Sequence, residues 1–335
     1  MIDKEYTLSK YYKNLRLVAQ RNAADFKEQV YLDYQKLKEI DSDISKTFIE
    51  LTLAGYDNDK TKIDEANEKI AKLDKEKTAF MKKENLDPES FKPQYKCKKC
   101  NDTGFVDGKI CDCYIEQLEI LRPEPFLFSK FDINNINYSA YDSSQVADDG
   151  TNYRDFMKEE ITAIKSGIDE AVEKYKLFRT RQRSTKTKDD LTGKKGLPDP
   201  LNYIFVGDEL SGKTFLLNVF ARYIYLYTPF SVSYIKAQDC VRTIMGKGDM
   251  SEFHEKIEQV DFLFIDDLGR ENKSEFSMSV ISDLIDYRLS HMKNTFIASK
   301  LSLKSIKDTY GEYVYNRIFN SYYPISLKGS VEYGE

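Results

Sequence analysis

Apolar residues recur at steps of three and four along the first 92 residues, which is the period of an amphipathic helix. A polar break at 57–60 divides this stripe into two segments, and no proline precedes Pro88. The stripe comprises Val30, Tyr34, Leu37, Ile40, Ile44, Phe48 and Leu51, then Ile63, Ala66, Ile70, Leu73 and Phe80. The pattern predicts an all-helical region at 1–92. Such a region can close on itself as a small bundle. It can also present a surface to a protein partner, and the two interpretations are compatible.

The second half of the chain alternates between short apolar runs and amphipathic stretches. The runs predict strands and the stretches predict helices. The predicted strands are 201–206, 231–235, 260–267 and 294–298, and the predicted helices are 161–178, 215–224, 239–245 and 278–289. Because alternating strands and helices form parallel sheets covered by helices, we expect a C-terminal α/β domain at 126–335. The predicted fold class is therefore multidomain.

A glycine loop joins the first of these strands to the helix that follows it. Residues 207–214 fit the pattern G-x-x-x-x-G-K-[ST], in which backbone N–H groups surround the phosphates of a nucleoside triphosphate. In this pattern Lys213 reaches the β- and γ-phosphates and Thr214 holds Mg²⁺. The order of strand, loop and helix distinguishes this loop from an ordinary glycine turn. The predicted nucleotide-binding residues are Gly207, Asp208, Glu209, Leu210, Ser211, Gly212, Lys213, Thr214 and Phe215.

Two carboxylates, Asp266 and Asp267, end the strand at 260–267. The carboxyl ends of parallel strands meet at one edge of the sheet, so we expect both carboxylates beside the phosphate loop. Asp266 would hold Mg²⁺, and Asp267 would orient or deprotonate the attacking water. The two motifs together predict a P-loop ATPase.

Four of the five cysteines are clustered in two close pairs, Cys97 with Cys100 and Cys111 with Cys113. A glycine-containing turn between the pairs lets them meet, and four thiolates suit tetrahedral Zn²⁺. Since four cysteines leave no open coordination position, the predicted site is structural. We therefore predict a zinc knuckle at 93–125. A redox dithiol and four unrelated thiols are the alternatives, and the knuckle could also contact nucleic acid.

The net charge of −5, with 32% charged residues, gives no global attraction to nucleic acid, so any basic surface must be local. Residues 179–197 are rich in lysine and arginine and predict a mobile loop, either a solvated insertion or a contact to nucleic acid. No apolar run reaches the length of a membrane span, and the first residues lack the apolar core of a signal peptide. We therefore expect a cytoplasmic protein without a membrane partner.

In combination these motifs resemble the bacterial replicative helicase loaders of the DnaC/DnaI type, which are AAA+ ATPases related to the IstB-like ATP-binding proteins. The resemblance is carried by the cysteine string at 96–105, the segment 130–138, the acidic strand end at 265–271, the strand at 296–302 and the segment 310–317. Several motifs in the same order make it specific. The first 90 residues match only in being helical.

The resemblance implies ATP-dependent loading of the hexameric replicative helicase onto single-stranded DNA. It implies that the N-terminal helical region binds the helicase, and that the ATPase domain binds single-stranded DNA and neighbouring subunits. Arg317 aligns with the arginine that completes the active site of a neighbouring subunit. Without the resemblance, a surface arginine on a helix is the simpler interpretation of this residue. A guanidinium supplied in this way stabilises charge on the transferring phosphoryl group, so hydrolysis would be weak and dependent on assembly.

The chain also departs from the family pattern. Asp208, Glu209 and Leu210 stand where relatives usually have proline or glycine. Two carboxylates close to phosphates weaken anion binding unless they turn outward. Lys300, beside Ser299, takes the place of the sensor asparagine, and we find no arginine for the second sensor.

These departures favour nucleotide binding over fast hydrolysis, with Lys300 or Lys328 as candidate substitutes for the sensors. They leave two alternatives to a helicase loader. One is a transposition-helper ATPase of the IstB type, which would prefer duplex DNA. The other is a nucleotide-gated adaptor that binds ATP but barely hydrolyses it.

Overall fold

The computed structural model describes residues 4–121, 132–147, 149–184, 199–246, 253–272 and 274–329, with only the backbone described for Glu5 and for 178–184. Two compact units divide the chain, and the boundary between them falls after Leu121. The helical region and the cysteine knuckle share the first unit. The prediction of helices followed by an α/β domain with a parallel sheet is confirmed.

The N-terminal unit contains four α-helices and a small hairpin in its described part. Their bounds are α1 Lys4–Asp33, α2 Gln35–Tyr56, α3 Lys60–Lys83, β1 Phe105–Val106, β2 Lys109–Ile110 and α4 Asp112–Leu121. Helices α2 and α3 form an antiparallel pair joined at the polar break, where the Asp59 carboxylate accepts a hydrogen bond from the backbone N–H of Lys62. A capping carboxylate of this kind satisfies one of the free N–H groups at the start of a helix.

The apolar stripe of the helical region differs from its prediction in two places. Tyr34 has φ −130° and ends the helical run, so one predicted helix is two, α1 and α2. In α2, Thr47 is buried and its hydroxyl donates to the Asp43 carbonyl, whereas Phe48 is 51% exposed. A hydroxyl that bonds to its own helix can be buried in this way, because its polar group is satisfied. The face of α2 that carries Phe48 is therefore left on the surface.

The C-terminal unit is a five-stranded parallel sheet with helices on both faces. The bounds are α5 Tyr153–Ser184, β3 Asn202–Gly207, α6 Lys213–Tyr227, β4 Val232–Lys236, α7 Ala237–Met245, β5 Phe262–Leu268, α8 Glu275–Ser290, β6 Asn294–Ser299, α9 Leu303–Ser321 and β7 Tyr323–Leu327. The strand order is β4-β5-β6-β3-β7. Strand β6 therefore lies between β3, which leads into the phosphate loop, and β5, which ends in the acidic pair.

Alternate residues of the strands build two separate cores. Phe264 and Phe296 face a core completed by α5 and α6, whereas Ile265 and Ile297 face one completed by α7, α8 and α9. These residues are buried on both faces of the sheet, which explains why the strands read as continuous apolar runs.

Strand β7 and both ends of helix α5 differ from the prediction for this unit. Strand β7 adds an edge strand beside β3. Helix α5 begins eight residues earlier than predicted and continues to Ser184, so the predicted mobile loop at 179–197 starts as helix. The remainder of that loop, like part of the segment at 130–138, lies outside the described residues.

None of the helices that the structure describes combines the length and apolarity needed to cross a membrane.

A buried arginine holds the amino-terminal edge of the sheet together. Arg288 of α8 is 0% exposed, and its Nη1 donates to the carbonyls of Ile257 (3.0 Å), Glu258 (3.1 Å) and Val260 (3.0 Å). Its Nε donates to Thr295 Oγ1 at 2.9 Å. Burial lowers the pKa of Arg288 to about 10, so the group is still charged at neutral pH. One side chain thus connects α8 to the start of β6 and to the segment before β5.

We expect Arg288→Leu to lower the stability of the protein by about 3 kcal/mol or more, because it leaves several buried carbonyls without donors. For a unit of this size, that corresponds to a fall of roughly 6–12 °C in the midpoint of thermal unfolding, measured by circular dichroism. Arg242→Leu is the matched control, since this helical arginine is mainly exposed and pairs only with Asp239 in the described part of the chain. Equal midpoints for the two variants would contradict the structural role of Arg288.

Candidate nucleotide site and cysteine cluster

The phosphate loop connects the last residue of β3, Gly207, to the first residue of α6, Lys213. Gly207 has φ 158°, and a Cβ at this position would lie 2.2 Å from the Leu327 carbonyl oxygen of β7. Only glycine fits such a close approach of two backbones. The edge strand that the sequence did not predict is thus the reason that this glycine is required.

The Lys213 amine lies inside the loop. Its Nζ donates to the Gly207 carbonyl at 2.8 Å and to Ser211 Oγ at 3.1 Å, and it also donates to the Asp208 carbonyl. Burial lowers the pKa of Lys213, while the surrounding carboxylates act in the opposite direction. A cation held among loop carbonyls at the start of a helix can exchange those acceptors for phosphate oxygens.

The acidic strand meets the start of α6 through a direct contact. Thr214 Oγ1 donates to Asp266 Oδ1 at 3.2 Å, and the Asp267 N–H donates to the same oxygen at 2.9 Å. Asp266 is only 2% exposed. The predicted Mg²⁺ ligands therefore lie together, with the hydroxyl and the carboxylate in contact.

Sequence reasoning missed Tyr234, which completes the surroundings of Asp266. The Tyr234 hydroxyl donates to Asp266 Oδ2 at 2.6 Å and accepts from the Asn218 side chain at 2.9 Å. Burial and the adjacent carboxylate strongly raise the pKa of Tyr234, so it remains a donor. The sequence around Tyr234 carries no local signal for this contact. It arises because the pairing of β4 with β5 sets Tyr234 beside Phe264, and Phe264 is two residues before Asp266.

Asp267 and Glu209 share a cation. Arg270 Nη1 lies 3.4 Å from Asp267 Oδ2, and Arg270 Nη2 lies 3.1 Å from Glu209 Oε1. Lys300 Nζ approaches the same Glu209 oxygen at 3.9 Å. The Glu209 carboxylate is thus turned towards two cations, which counters the unfavourable charge that it brings to the phosphate loop.

The residues predicted to lie at or to replace the sensors occupy different environments. Ser299 is fully buried, and its hydroxyl donates to the Leu268 carbonyl at 2.8 Å, which holds the ends of β6 and β5 together. Lys328 Nζ donates to the Val146 carbonyl at 3.0 Å. Of the two candidate substitutes, Lys300 is therefore the one directed at the phosphate loop.

Two of the predicted site residues are not directed at the loop interior. The Phe215 side chain is 2% exposed and belongs to the core beneath α6, so only its backbone can face a ligand. Arg317 lines a cavity with Asn202, the first residue of β3, whereas the loop follows the last residue of that strand. Since six extended residues span roughly 17 Å, Arg317 lies at the opposite edge of the sheet from its own phosphate loop.

Arg317 is held in place by two neighbours. Its Nε lies 2.8 Å from Asp286 Oδ1, and its guanidinium lies 5.4 Å from the centre of the Tyr313 ring. The Tyr313 ring therefore supports the Arg317 guanidinium on one side, and the Asp286 carboxylate pairs with it.

The four clustered cysteines meet in the N-terminal unit, and all their sulfurs lie within 4.8 Å of one another. The sulfurs of Cys97 and Cys111 are 3.9 Å apart, and those of Cys100 and Cys113 are 3.5 Å apart. These separations are far longer than a disulfide bond of about 2.05 Å. They match the edge of a sulfur tetrahedron around a metal with bonds of about 2.3 Å, which is about 3.8 Å.

The backbone around the cysteines is shaped to present the thiols. The buried Asp102 carboxylate accepts from the N–H groups of Lys96 (2.9 Å) and Cys97 (2.7 Å), and the Gly104 N–H donates to Cys100 Sγ at 3.4 Å. Although burial opposes it, this hydrogen bond and the neighbouring thiols lower the pKa of Cys100 to about 7, whereas burial raises the pKa of Cys113. Hydrogen bonds of this type favour a thiolate, which is the form that ligates metals.

The knuckle rests on α1 through aromatic side chains. Tyr12 stacks on Tyr114 at 5.7 Å, and its hydroxyl donates to Cys113 Sγ at 3.4 Å. Gly104 has φ 81°, and a Cβ there would lie 2.7 Å from the Tyr114 ring. The glycine between the cysteine pairs is therefore needed both for its backbone conformation and for this contact.

Comparisons with known proteins find relatives named replicative helicase loaders. No family model matches the chain. The replicative helicase loader DnaC of Buchnera aphidicola subsp. Acyrthosiphon pisum (strain APS) is 25% identical over 174 residues, which is 48% of this chain and 70% of that protein. The protein of the same name from Buchnera aphidicola subsp. Schizaphis graminum (strain Sg) is 25% identical over 173 residues, with the same coverage.

The predicted resemblance to bacterial replicative helicase loaders is confirmed. Among solved structures, the crystal structure of the DnaC helicase loader has 19% identity and a TM-score of 0.41, and it covers 58% of this chain and 98% of that one. The crystal structure of DnaI has 16% identity and a TM-score of 0.44, and it covers 62% of this chain and 94% of that one.

Proposed function

We propose that this protein is an AAA+ ATPase that loads the hexameric replicative helicase onto single-stranded DNA in the cytoplasm, with weak ATP hydrolysis that depends on assembly. The observation that supports this most strongly is the contact between Thr214 and Asp266, which brings the two predicted nucleotide motifs together at one sheet edge. The curated relatives named replicative helicase loaders support the biological role.

The proposed chemistry is the hydrolysis of the terminal phosphoanhydride bond of ATP. Lys213 binds the β- and γ-phosphates, and Thr214 and Asp266 hold Mg²⁺, which neutralises phosphate charge. Asp267 orients a water and accepts its proton as the water oxygen bonds to the γ-phosphorus. The bond from that phosphorus to the bridging oxygen breaks, and ADP and inorganic phosphate result.

The position of Arg317 supports a role in a neighbouring subunit. It lies at the sheet edge opposite to its own loop, so the nucleotide that it could contact belongs to a second copy of the chain. There the guanidinium would stabilise charge on the transferring phosphoryl group. Hydrolysis would then require self-association through the ATPase domain, with single-stranded DNA and the helicase as promoters of that assembly.

We expect purified protein to hydrolyse ATP slowly, and faster by tenfold or more with single-stranded DNA and the host replicative helicase, since an arginine supplied in trans accelerates such reactions by about 10³-fold or more. Hydrolysis is measured by phosphate release. Lys213→Ala should abolish ATP binding, whereas Asp267→Ala and Arg317→Ala should bind ATP but lose the stimulated rate.

Other outcomes of that measurement separate the alternatives. Tight, Lys213-dependent ATP binding without turnover in any combination would overturn hydrolysis and favour the nucleotide-gated adaptor. Stimulation by duplex DNA in preference to single strands would favour the transposition helper.

The surface of α2 supports the proposal that the N-terminal region binds the helicase. Phe48, Ile49, Leu53 and Tyr56 are 51–83% exposed and lie at helical spacing on one side of α2. The opposite side of the helix, with Leu37 and Ile40 among others, is buried. An exposed apolar helix face of this kind is typical of a docking surface for a protein partner.

Leu53→Asp should weaken binding to the host replicative helicase roughly tenfold or more, because a charge replaces an apolar contact at the centre of the face. Binding of the full-length proteins is measured by biolayer interferometry. Leu177→Asp is the matched control, since Leu177 is equally exposed at 59% but belongs to α5 of the other unit. Equal losses, or none for Leu53→Asp, would show that the helicase binds elsewhere.

The cysteine cluster is proposed to hold one structural Zn²⁺. The separations of the sulfurs and the N–H donor from Gly104 support zinc over a redox pair. Four thiolate ligands would leave no open coordination position, which favours a structural ion over a catalytic one. The metal would fix the turn between the cysteine pairs and hence its packing against α1.

Elemental analysis of the purified protein should give about one zinc per chain. Cys100→Ser should lose the metal, and the melting temperature should fall, because structural zinc contributes directly to folding. Cys240→Ser should retain it, since Cys240 is buried in the core of the C-terminal unit and is not one of the four clustered cysteines. The zinc proposal would be overturned if the wild-type protein melted at the same temperature after removal of its metal as it does when first purified.

A further inference from the structure

A cluster of four charged side chains borders the phosphate loop. Glu209 belongs to the loop itself, Asp267 lies near the end of β5, Arg270 lies in the turn after that strand, and Lys300 directly follows β6. Arg270 bridges the two carboxylates at 3.1 and 3.4 Å, and Lys300 approaches Glu209 at 3.9 Å. Three chain segments at the carboxyl edge of the sheet therefore meet at this cluster, whose side chains are linked by ion pairs.

The contacts of this cluster are exposed and exchangeable. The side chains of Glu209, Arg270 and Lys300 are 65%, 49% and 44% exposed. Ion pairs at such positions contribute only about 0–1 kcal/mol each, because water and salt screen them. A phosphate group with up to two negative charges and several acceptor oxygens is a stronger partner for both cations than one carboxylate.

The position of the cluster relates it to the terminal phosphate. Lys213 and Thr214 mark where the β- and γ-phosphates would bind, and Asp267 follows directly after Asp266, which contacts Thr214. Arg270 is paired with Asp267, and Lys300 approaches Glu209 in the phosphate loop. Both cations are thus attached to groups on the γ-phosphate side of the site.

We propose that Arg270 and Lys300 recognise the γ-phosphate of ATP, and that Glu209 competes with it for these two cations. This inference rests on the proposed nucleotide binding. With ADP, which has no γ-phosphate, Glu209 retains both cations. With ATP, the cations transfer to the γ-phosphate, and the Asp267 carboxylate loses its pairing with Arg270. The cluster thereby discriminates ATP from ADP and couples that discrimination to the residue that orients water.

The competition can be measured by titrating ATP and ADP, each with Mg²⁺, into the full-length protein by isothermal titration calorimetry. Arg270→Gln should weaken ATP binding about 3- to 10-fold and change ADP binding less than twofold, as expected for one charged contact at a partly exposed site. Glu209→Gln should strengthen ATP binding about threefold or more, with ADP again little changed. In the Arg270→Gln background the effect of Glu209→Gln should shrink, because the two groups are coupled.

Asp208→Asn provides the matched control. Asp208 carries the same charge one residue earlier in the loop, but in the described part of the chain it forms no ion pair with Arg270 or Lys300. Removal of its charge should change ATP and ADP affinity together. Thermal unfolding of each variant establishes that it is folded before its affinities are compared.

The outcomes separate this inference from the function on which it rests. Absence of ATP binding in the wild type, or undiminished binding in Lys213→Ala, would overturn the nucleotide site and the inference with it. Lys213-dependent ATP binding in which Glu209→Gln and Arg270→Gln shift ATP and ADP equally would overturn the inference alone. Selective shifts for ATP, with the predicted coupling, would support it.

Discussion

The buried carboxylate of Asp266 is the constraint on which the candidate nucleotide site depends. An unpaired carboxylate in a protein interior is strongly unfavourable, so it must be surrounded by donors. Here the donors are the Thr214 hydroxyl at the start of α6, the Tyr234 hydroxyl of β4 and the backbone N–H of the next residue, Asp267. Pairing the charge of Asp266 therefore requires α6, β4 and β5 to meet at a single point.

The same requirement explains the strand arrangement around the site. Tyr234 can reach Asp266 only because β4 pairs in parallel with β5 in the observed register. On the other side of β3, the edge strand β7 approaches Gly207 so closely that no side chain fits there. The phosphate loop is thus held between a polar contact on one side and a backbone contact on the other.

The sequence predicted those parts of the site that depend on neighbouring residues along the chain. The phosphate loop, the acidic strand end and the cysteine pairs are local patterns, and the structure brings each of them together as the patterns indicate. Contacts between distant segments were not predicted, because their partners carry no local signal. Tyr234 with Asp266 is one such contact, and Glu209 with Arg270 is another.

Two fold features, strand β7 and the helix break at Tyr34, were missed because no local sequence pattern marks them. Strand β7 is only five residues long and exposes Tyr323 and Pro324, so it lacks the continuous apolar run of the inner strands. The break at Tyr34 lies inside an unbroken apolar stripe, with neither glycine nor proline to mark it. Periodicity reports which face of a helix is apolar, but it does not report where the backbone leaves the helix.

The two departures from the helicase loader pattern that looked independent in the sequence are in contact in the structure. Glu209 adds a negative charge to the phosphate loop, and Lys300 adds a positive charge after β6, where the resemblance predicts a sensor. The two side chains approach each other to 3.9 Å. A carboxylate alone at the loop would repel phosphate, and a lysine alone beside it would attract phosphate without a competing partner. Together, with Arg270 between the loop and Asp267, they keep the local charge near balance while leaving both cations accessible to a stronger anion. The altered positions are therefore better understood as one electrostatic arrangement than as separate losses of function.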